Sequence, residues 1–269
     1  MKTTTMGTVV AAVVLAASVA SAGGPNAREV MAKSVAASSL DHVTLTSTLT
    51  IGSMSGDARA KSFTLFRKVA SDGVHFRSLA RFSAPAEIRG EAVLMDERGN
   101  GRNEVLLWLP RYKKTRRVET QAQRASFMGS SFSYADMTTQ TVDDYKHEIA
   151  KSEACPGDPK SSCFVVVSHP ASDAVKANQG YGKKTTWVRS SDYQALQTEL
   201  FDEGGALWKR IVFSDIREVD TKQRKAVPHA IRVDDLKAKR FSQIVVHKAD
   251  TNAAVSDSLF TEQSLARDL

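Results

Sequence analysis

The stretch "HVTLTSTLTI", residues 42–51, alternates apolar side chains with small hydroxyl side chains. Val43, Leu45, Leu49 and Ile51 are separated by threonines and a serine, so most apolar residues lie two positions apart. In a strand, this spacing places the apolar side chains on one face of the sheet and the hydroxyls on the other. The stretch therefore predicts a β-strand with one face packed against a core.

Strand patterns continue along the rest of the chain. The further candidate strands are "KSFTLFRKV" (61–69), "VHFRSLARF" (74–82), "EAVLM" (91–95), "EVLLWL" (104–109), "DYKHEI" (144–149), "CFVVVSH" (163–169), "KTTWVR" (184–189), "QALQTELFD" (194–202), "LWKRIVFSDI" (207–216), "HAIRVDDL" (229–236) and "FSQIVVHK" (241–248). Turns such as "SDGV" and "DEGGAL" between them are hairpin signals. A run of strands with few intervening helices predicts an antiparallel meander.

A sheet of about a dozen strands twists and curls, so we expect an incomplete β-barrel rather than a flat sheet. Runs such as "VLLWL" and "FVVV" are apolar at consecutive positions, which indicates that both sheet faces are covered there. The predicted fold class is mainly β (α+β), a curved antiparallel sheet whose mouth is covered by helices and loops. No repeat or linker divides the chain, and residues 23–269 are predicted to form a single domain.

One helix and two interruptions accompany the strands. Asn26 is a candidate N-cap and Glu29 follows three residues later, which is the capping-box spacing, so we predict a helix from about Ala27 to Ser38. Residues 112–141 contain no clear strand, and residues 171–182 form a second interruption. We expect loops or short helices laid over the sheet in both places.

The N-terminus has the three parts of a secretory signal peptide. Lys2 precedes an apolar stretch over residues 6–20, and Ala20, Ser21 and Ala22 form a small-x-small cleavage site. A membrane anchor is the alternative, but the stretch is short and rich in alanine. We expect residues 1–22 to be removed. Because Gly23 stands where a lipid-anchored protein would have Cys, we expect a soluble periplasmic protein.

The charge balance is basic, with 37 Lys and Arg residues against 30 Asp and Glu residues. In an exported protein, anionic lipid head groups or an acidic protein are more suitable partners for this charge than nucleic acid. A simple contribution to solubility is the alternative.

Cys155 and Cys163 enclose the short segment "PGDPKSS". An even number of cysteines in an exported chain predicts a disulfide closing this loop. A zinc site is the weaker alternative, because no histidine lies near either cysteine in sequence.

The common catalytic signatures are missing from the sequence. It contains no Gly-x-Ser-x-Gly, no His-Glu-x-x-His and no glycine-rich phosphate loop. The histidines are scattered singly, and the adjacent acidic pairs Asp143–Asp144 and Asp234–Asp235 would point to opposite faces of a strand. We therefore predict a protein without enzymatic activity, metal or cofactor.

Two neighbouring segments differ sharply in composition. The run "RYKKTRR" contains five cations, namely Arg111, Lys113, Lys114, Arg116 and Arg117. It is either a solvated loop or a docking patch for phospholipid head groups, where each cation contributes about 1 kcal/mol. The segment "FMGSSFSYADM" (127–137) then carries three aromatic rings and one charge, Asp136.

Three linked motifs resemble the LolA-like family of outer membrane lipoprotein-sorting proteins. They are "FSAPAEIRGEAVLM" (82–95), "EVLLWLPRYKKTRRV" (104–118) and "SFMGSSFSYADM" (126–137). The matching positions are Phe82, Pro85, Ala86, Arg89, Gly90, Leu109, Pro110, Arg116, Arg117, Phe127, Met128, Gly129, Ser130, Phe132, Tyr134 and Asp136, and Trp108 lies in the second motif. Ser131 and Ala135 replace acidic residues of the family pattern.

The resemblance implies an incomplete barrel with helices over its mouth. It also implies a periplasmic carrier that holds the acyl chains of a lipid or lipoprotein, often associated with a transporter of the resistance-nodulation-division (RND) type. Phe127, Met128, Gly129, Phe132 and Tyr134 would form a mobile cover over the cavity, and the basic run would meet the head groups or make transient contact with a membrane. We expect a monomer. The alternative is a protein-binding adaptor or sensor of an envelope complex that carries no lipid.

Overall fold

The computed structural model describes residues 25–98, 103–119, 122–139 and 141–267. The predicted signal peptide, residues 1–22, lies outside these ranges. No helix within them is long and apolar enough to cross a membrane.

The described residues form one 13-stranded antiparallel sheet. Its strands are β1 (His42–Ser53), β2 (Ala58–Val69), β3 (Phe76–Ala84), β4 (Ala92–Asp96), β5 (Glu104–Leu109), β6 (Lys114–Arg117), β7 (Tyr145–Cys155), β8 (Asp158–Pro170), β9 (Lys183–Arg189), β10 (Ala195–Phe201), β11 (Leu207–Asp220), β12 (Lys225–Asp235) and β13 (Arg240–Asp250). The α-helices of the described part are α1 (Ala27–Ser38), α2 (Asp173–Gln179) and α3 (Glu262–Leu265).

The strand order is β6-β5-β4-β3-β2-β1-β13-β12-β11-β10-β9-β8-β7. Sequence neighbours pair throughout, except that β1 and β13 meet in the middle of the sheet, where Leu49 lies opposite Ile244. The two edges are β6 and β7, so the sheet curves without closing. Residues 118–144 join these two edges, and this connection must cross from one side of the open barrel to the other.

The predicted incomplete barrel is confirmed, and the structure contains all twelve predicted strands. The prediction that residues 112–141 contain no strand is wrong for residues 114–117, which form β6. β6 is a short edge strand with no apolar residue, paired to β5 through Leu106 and Arg117. Charged side chains protect exposed edges from pairing with other chains, which explains why this strand has no apolar pattern.

Helix α1 has the predicted bounds. The side chain of Asn26 accepts a hydrogen bond from the backbone N–H of Arg28 at 2.9 Å, as an N-cap does. The expected capping box is not formed, because the carboxylate of Glu29 pairs instead with Lys33 one turn later. The helix lies across the sheet and contacts β7, β8, β9 and β12.

Both faces of strands β3 to β5 are covered. Val93 belongs to an apolar cluster with Leu49, Phe63 and Phe127, and we call the face of this cluster the concave face. The adjacent Leu94 belongs to a second cluster on the opposite face, where the C-terminal segment around α3 packs. The prediction made from consecutive apolar residues in "VLLWL" is therefore confirmed.

The predicted disulfide joins Cys155 in β7 to Cys163 in β8, with an S–S distance of 2.01 Å. Both cysteines are buried against Leu196 and Trp187. The disulfide links β7 to β8 at the sheet edge formed by β7, which is the edge opposite β6.

Candidate functional site

A cavity of about 480 Å³, here called the main cavity, lies between the concave face and helix α1. Its wall is largely apolar and comes from strands in the middle of the sheet. The apolar residues of that wall include Val43, Leu45, Phe63, Leu65, Ile211, Phe213, Ile231, Ile244 and Val246. Apolar cavities of roughly 300–1,000 Å³ are typical of small-ligand sites.

Helix α1 covers the main cavity, and its buried apolar contact with the sheet comes from its N-terminal half. Val30 is fully buried against Val166 and Val188 of the sheet. One turn further on, Val35 lines the main cavity yet remains 37% exposed. The cavity therefore opens to solvent beside Val35.

The aromatic rings of segment 127–137, here called the loop, point into the core. Phe127 is fully buried and packs edge-on against Tyr134, with ring centroids 5.6 Å apart. Phe82 lies on the other side of Phe127 at 6.4 Å. Phe132 is buried as well and lines the main cavity.

The bend of the loop is at Met128 and Gly129, which both have positive φ, 50° and 80°. The carbonyl oxygen of Met128 accepts a hydrogen bond from Lys61 Nζ at 2.7 Å, and that of Gly129 accepts one from Arg240 at 2.7 Å. These two bonds tie the bend to β2 and β13. The segment predicted to be a mobile cover is thus anchored on two strands and buried through its rings, and its mobility stays a prediction.

Asp136, the single charge of the loop, is the centre of a buried polar network. Its carboxylate accepts hydrogen bonds from the Tyr181 hydroxyl at 2.9 Å and from the backbone N–H of Ser133 at 2.8 Å. Lys209 Nζ lies 3.3 Å from the same carboxylate, and each of these two side chains is only 5% exposed. Burial raises the pKa of Tyr181 well above its usual value, and the nearby Asp136 raises it further. The network fixes the end of the loop to β11.

A second cavity of about 310 Å³ adjoins the main cavity. Both are lined by Val35, Ser38, Asp136, Ile211, Phe213 and Pro228. Polar side chains make up a larger share of the wall of the second cavity than of the main cavity, among them Tyr145, His147, Lys184 and Thr186. The combined site thus has an apolar part and a polar part.

Another buried charge lies beside the main cavity. The Glu97 carboxylate accepts hydrogen bonds from the backbone N–H groups of Phe76 at 3.1 Å and Thr139 at 2.8 Å, and Arg67 lies 3.8 Å away. Burial raises the pKa of Glu97, while Arg67 and these hydrogen bonds lower it. This contact secures the chain just after the loop.

The basic run lies at the β6 edge, away from the cavity wall. Arg111, Lys113, Lys114, Arg116 and Arg117 are exposed, and Tyr112 between them is 63% exposed. Arg117 pairs with Glu104 of β5. The other four cations make no ion pair with any residue that the structure describes, so their charge faces solvent.

The remaining motif residues mostly hold the fold. Gly90 has a φ of 82°, and a side chain there would meet the ring of Pro110 at 3.6 Å, so the first two motifs touch at this point. Trp108 packs against the cluster on the opposite face, and Arg89 is exposed.

Three polar residues of the site were missed from the sequence, namely Tyr181, Lys184 and Lys209. Lys184 and Lys209 lie within predicted strands, "KTTWVR" and "LWKRIVFSDI"; Lys184 lines the second cavity, and Lys209 is buried beside Asp136. A charged residue at an inward position of an alternating strand is the signal that could have found them. Among the described residues, no group of three or more His, Cys, Asp and Glu side chains could hold a metal ion.

Comparison with known proteins identifies the family. A family model described as that of an uncharacterized protein matches residues 75–267, which is more than two thirds of the chain. The chain belongs to this family, and its fold is LolA-like. No curated protein matches the sequence.

Three solved structures share the fold over nearly their whole length. A domain described as an outer membrane lipoprotein-sorting protein, from Vibrio parahaemolyticus, is 20% identical, with a TM-score of 0.80 and coverage of 90% of this chain and 98% of that one. A DUF1329 family protein from Desulfovibrio piger is 22% identical, with a TM-score of 0.80 and coverage of 88% and 97%. A LolA superfamily protein from Nitrosomonas europaea is 17% identical, with a TM-score of 0.68 and coverage of 89% and 99%.

These likenesses confirm the resemblance and the fold class predicted from the three motifs. At identities this low, they establish the fold alone.

Proposed function

We propose that this LolA-like protein is a non-enzymatic periplasmic carrier that holds an acyl chain of a lipid or lipoprotein in the main cavity and transfers it toward the outer membrane. The observation that carries the proposal is the apolar cavity of about 480 Å³ between α1 and the concave face. An adaptor that binds only protein has no need of such a cavity, so the cavity favours the carrier. The proposed periplasmic location rests on the predicted signal peptide.

The size of the hydrophobic effect makes this function physically reasonable. Each buried methylene contributes about 0.8 kcal/mol, so about ten buried methylenes give about 8 kcal/mol before the costs of association. A net binding free energy of about 8 kcal/mol corresponds to a dissociation constant near 1 μM, so the costs of association require more than about ten buried methylenes for that affinity. A carrier needs affinity of this order, because it must bind in water and still release its cargo.

We further propose that the loop is a fixed wall and that α1 is the movable cover. Phe127 is fully buried, and the loop bend is bonded to Lys61 and Arg240. Helix α1 buries only Val30 and Ser34. Opening at α1 disturbs fewer buried contacts than opening at the loop.

The exposed basic run is proposed to meet anionic head groups during transient contact with a membrane. An RND-type transporter in the inner membrane is the proposed partner on the strength of the family resemblance, and the carrier is proposed to act as a monomer.

Cargo binding is tested by native mass spectrometry of protein purified from the periplasm, combined with uptake of a labelled lipid. The informative variant is Leu45→Trp, which fills the main cavity, and the matched control is Thr46→Trp on the exposed neighbouring position of β1. We expect copurifying lipid in the wild type and in Thr46→Trp, and strong loss in Leu45→Trp. Absence of lipid and of uptake in all three proteins would refute the carrier.

Contact with membranes is tested separately with vesicles containing anionic phospholipid. Replacing Lys113 and Lys114 by glutamate should reduce vesicle binding at low salt and leave lipid uptake in the main cavity unchanged. Equal vesicle binding by the variant would rule out a role for the basic run.

A further inference from the structure

One row of residues across three neighbouring strands, here called the polar row, gives the main cavity a polar end. Arg67 of β2 lies directly opposite Val43 of β1 and Ser78 of β3. All three residues line the main cavity. Directly opposite residues of antiparallel strands point to the same face of the sheet. Arg67 and Ser78 are therefore neighbours in the cavity wall.

The next row along these strands is apolar. It consists of Leu45, Leu65 and Ala80, each two residues along its strand from the polar row. Leu45 and Leu65 line the main cavity as well. Ser39, which follows α1 and precedes Val43 by four residues, is also part of the cavity wall. The polar row therefore lies at the end of the cavity near the C-terminus of α1, beside an apolar wall.

Ser78 has a buried hydroxyl without a partner. The residue is only 2% exposed, and its Oγ makes no hydrogen bond to any residue that the structure describes. A buried polar group without a partner is rare in proteins and indicates a ligand or an ordered water that completes it. Because a serine hydroxyl can donate one hydrogen bond, an oxygen acceptor of the cargo can complete Ser78.

The charges around the polar row are balanced. In the part of the chain that the structure describes, the charged residues of the cavity wall are Arg67 and Asp136. Arg67 lies 3.8 Å from the buried Glu97 carboxylate and donates a hydrogen bond to the Thr139 hydroxyl. Asp136 is paired with Lys209. An anionic ligand group would add a buried charge without a counter-charge, which is costly, whereas a neutral carbonyl group adds none.

We propose that Ser78 and Arg67 form a subsite for the neutral carbonyl oxygen of an ester- or amide-linked acyl chain whose tail lies along the apolar wall of the main cavity. The Ser78 hydroxyl donates a hydrogen bond to the carbonyl oxygen, and the positive charge of Arg67 faces the negative end of the carbonyl dipole. This inference rests on the proposed carrier function and narrows its cargo to acyl esters and amides, as opposed to free fatty acids.

The test compares ligands with the same chain and different polar ends. Methyl palmitate carries the ester carbonyl, hexadecyl methyl ether lacks it, and palmitate is anionic. Each ligand is delivered from cyclodextrin to delipidated mature protein, and its dissociation constant is measured by calorimetry. Because burial raises the pKa of Glu97, the measurements are made at about pH 8, where the ionised form of this carboxyl is favoured.

The wild type should bind the ester about two- to tenfold more tightly than the ether, which is the range expected for one neutral hydrogen bond. It should not bind palmitate more tightly than the ester, because the charge of Arg67 is already balanced by Glu97.

Two variants and one matched control separate the subsite from general packing. Ser78→Ala should abolish the preference for the ester over the ether without loss of stability, since the hydroxyl has no described partner. Ser83→Ala makes the same change at an exposed position of β3 and should keep the preference. Glu97→Gln removes the counter-charge of Arg67 and should raise the affinity for palmitate relative to the ester. Thermal unfolding checks that each variant is folded.

Each outcome bears on the proposal. Equal binding of the ester and the ether by the wild type, an unchanged preference in Ser78→Ala, or tighter binding of palmitate than of its ester would overturn the subsite while leaving the carrier standing. An unchanged ratio of palmitate to ester affinity in folded Glu97→Gln would overturn the role of charge balance. Failure of all three ligands to bind would overturn the carrier and the subsite together.

Discussion

Replacement of Asp136 by asparagine gives the sharpest test of how the loop is held. The Asp136 carboxylate and Lys209 Nζ are 3.3 Å apart and almost completely buried. Asparagine keeps the size of the side chain but leaves Lys209 as a buried cation without its counter-charge. Removing one partner of a buried ion pair costs about 3–5 kcal/mol. With a urea m-value of about 3 kcal/mol/M, the unfolding midpoint should fall by at least about 1 M.

The double variant Asp136→Asn/Lys209→Met separates the ion pair from the other contacts of Asp136. Without either charge, no buried ion is left uncompensated, so the double variant should lose less stability than the two single variants together, with a coupling of about 2–3 kcal/mol. The exposed pair of Arg217 and Asp215 supplies the control, and Arg217→Gln should leave the midpoint unchanged. Unfolding is followed by tryptophan fluorescence in urea. Additive losses, or a single variant no less stable than Arg217→Gln, would show that the network does not anchor the loop.

The remaining predictions concern the core, the disulfide and the buried lysine. Phe127→Ala should destabilise the protein by about 3–5 kcal/mol in urea unfolding, since the ring is fully buried; a loss below about 1 kcal/mol would mean that the loop packs loosely. Replacing Cys155 and Cys163 by serine should cost about 2.5 kcal/mol for a loop of this length, and an unchanged melting temperature would contradict this. Lys184 has a folded-state pKa of about 7, below its ordinary value of 10.5, so the unfolded chain binds more protons between these values and stability should rise with pH over that range. In Lys184→Met this contribution to the pH dependence should disappear, and persistence of the full slope would assign it to other groups.

Local sequence patterns were sufficient for most of the sheet. The alternation of residues 42–51 predicted β1, and the cap at Asn26 predicted α1, because both signals depend on side chains close together in sequence. β6 was missed because residues 114–117 are all polar and become a strand only by pairing with β5. Strand β6 forms only by pairing with β5, and the periodicity of the sequence carries no information about such a partner.

The site was less predictable than the fold. The composition of the loop indicated inward rings, but the partners of its single charge, Tyr181 and Lys209, lie 45 and 73 residues away. The volume of the main cavity depends on the curvature of the sheet and on the position of α1, and neither is a local property. Lys184 could have been singled out as a charge at an inward strand position, but its relation to Tyr145 required the register of β7, β8 and β9.

The topology supports the proposal that the loop is a fixed wall and that α1 is the movable cover. Residues 118–144 connect the two edge strands, so they must cross the open side of the barrel, and any displacement of this connection pulls on both edges. The chain resists that displacement through the Phe127 ring, the bend at Gly129 and the Asp136 network. The short connection 39–41 joins helix α1 to β1. In the proposed mechanism α1 is the cover that moves, because Val30 and Ser34 are its buried residues, and the partly exposed Val35 lies where the opening would begin.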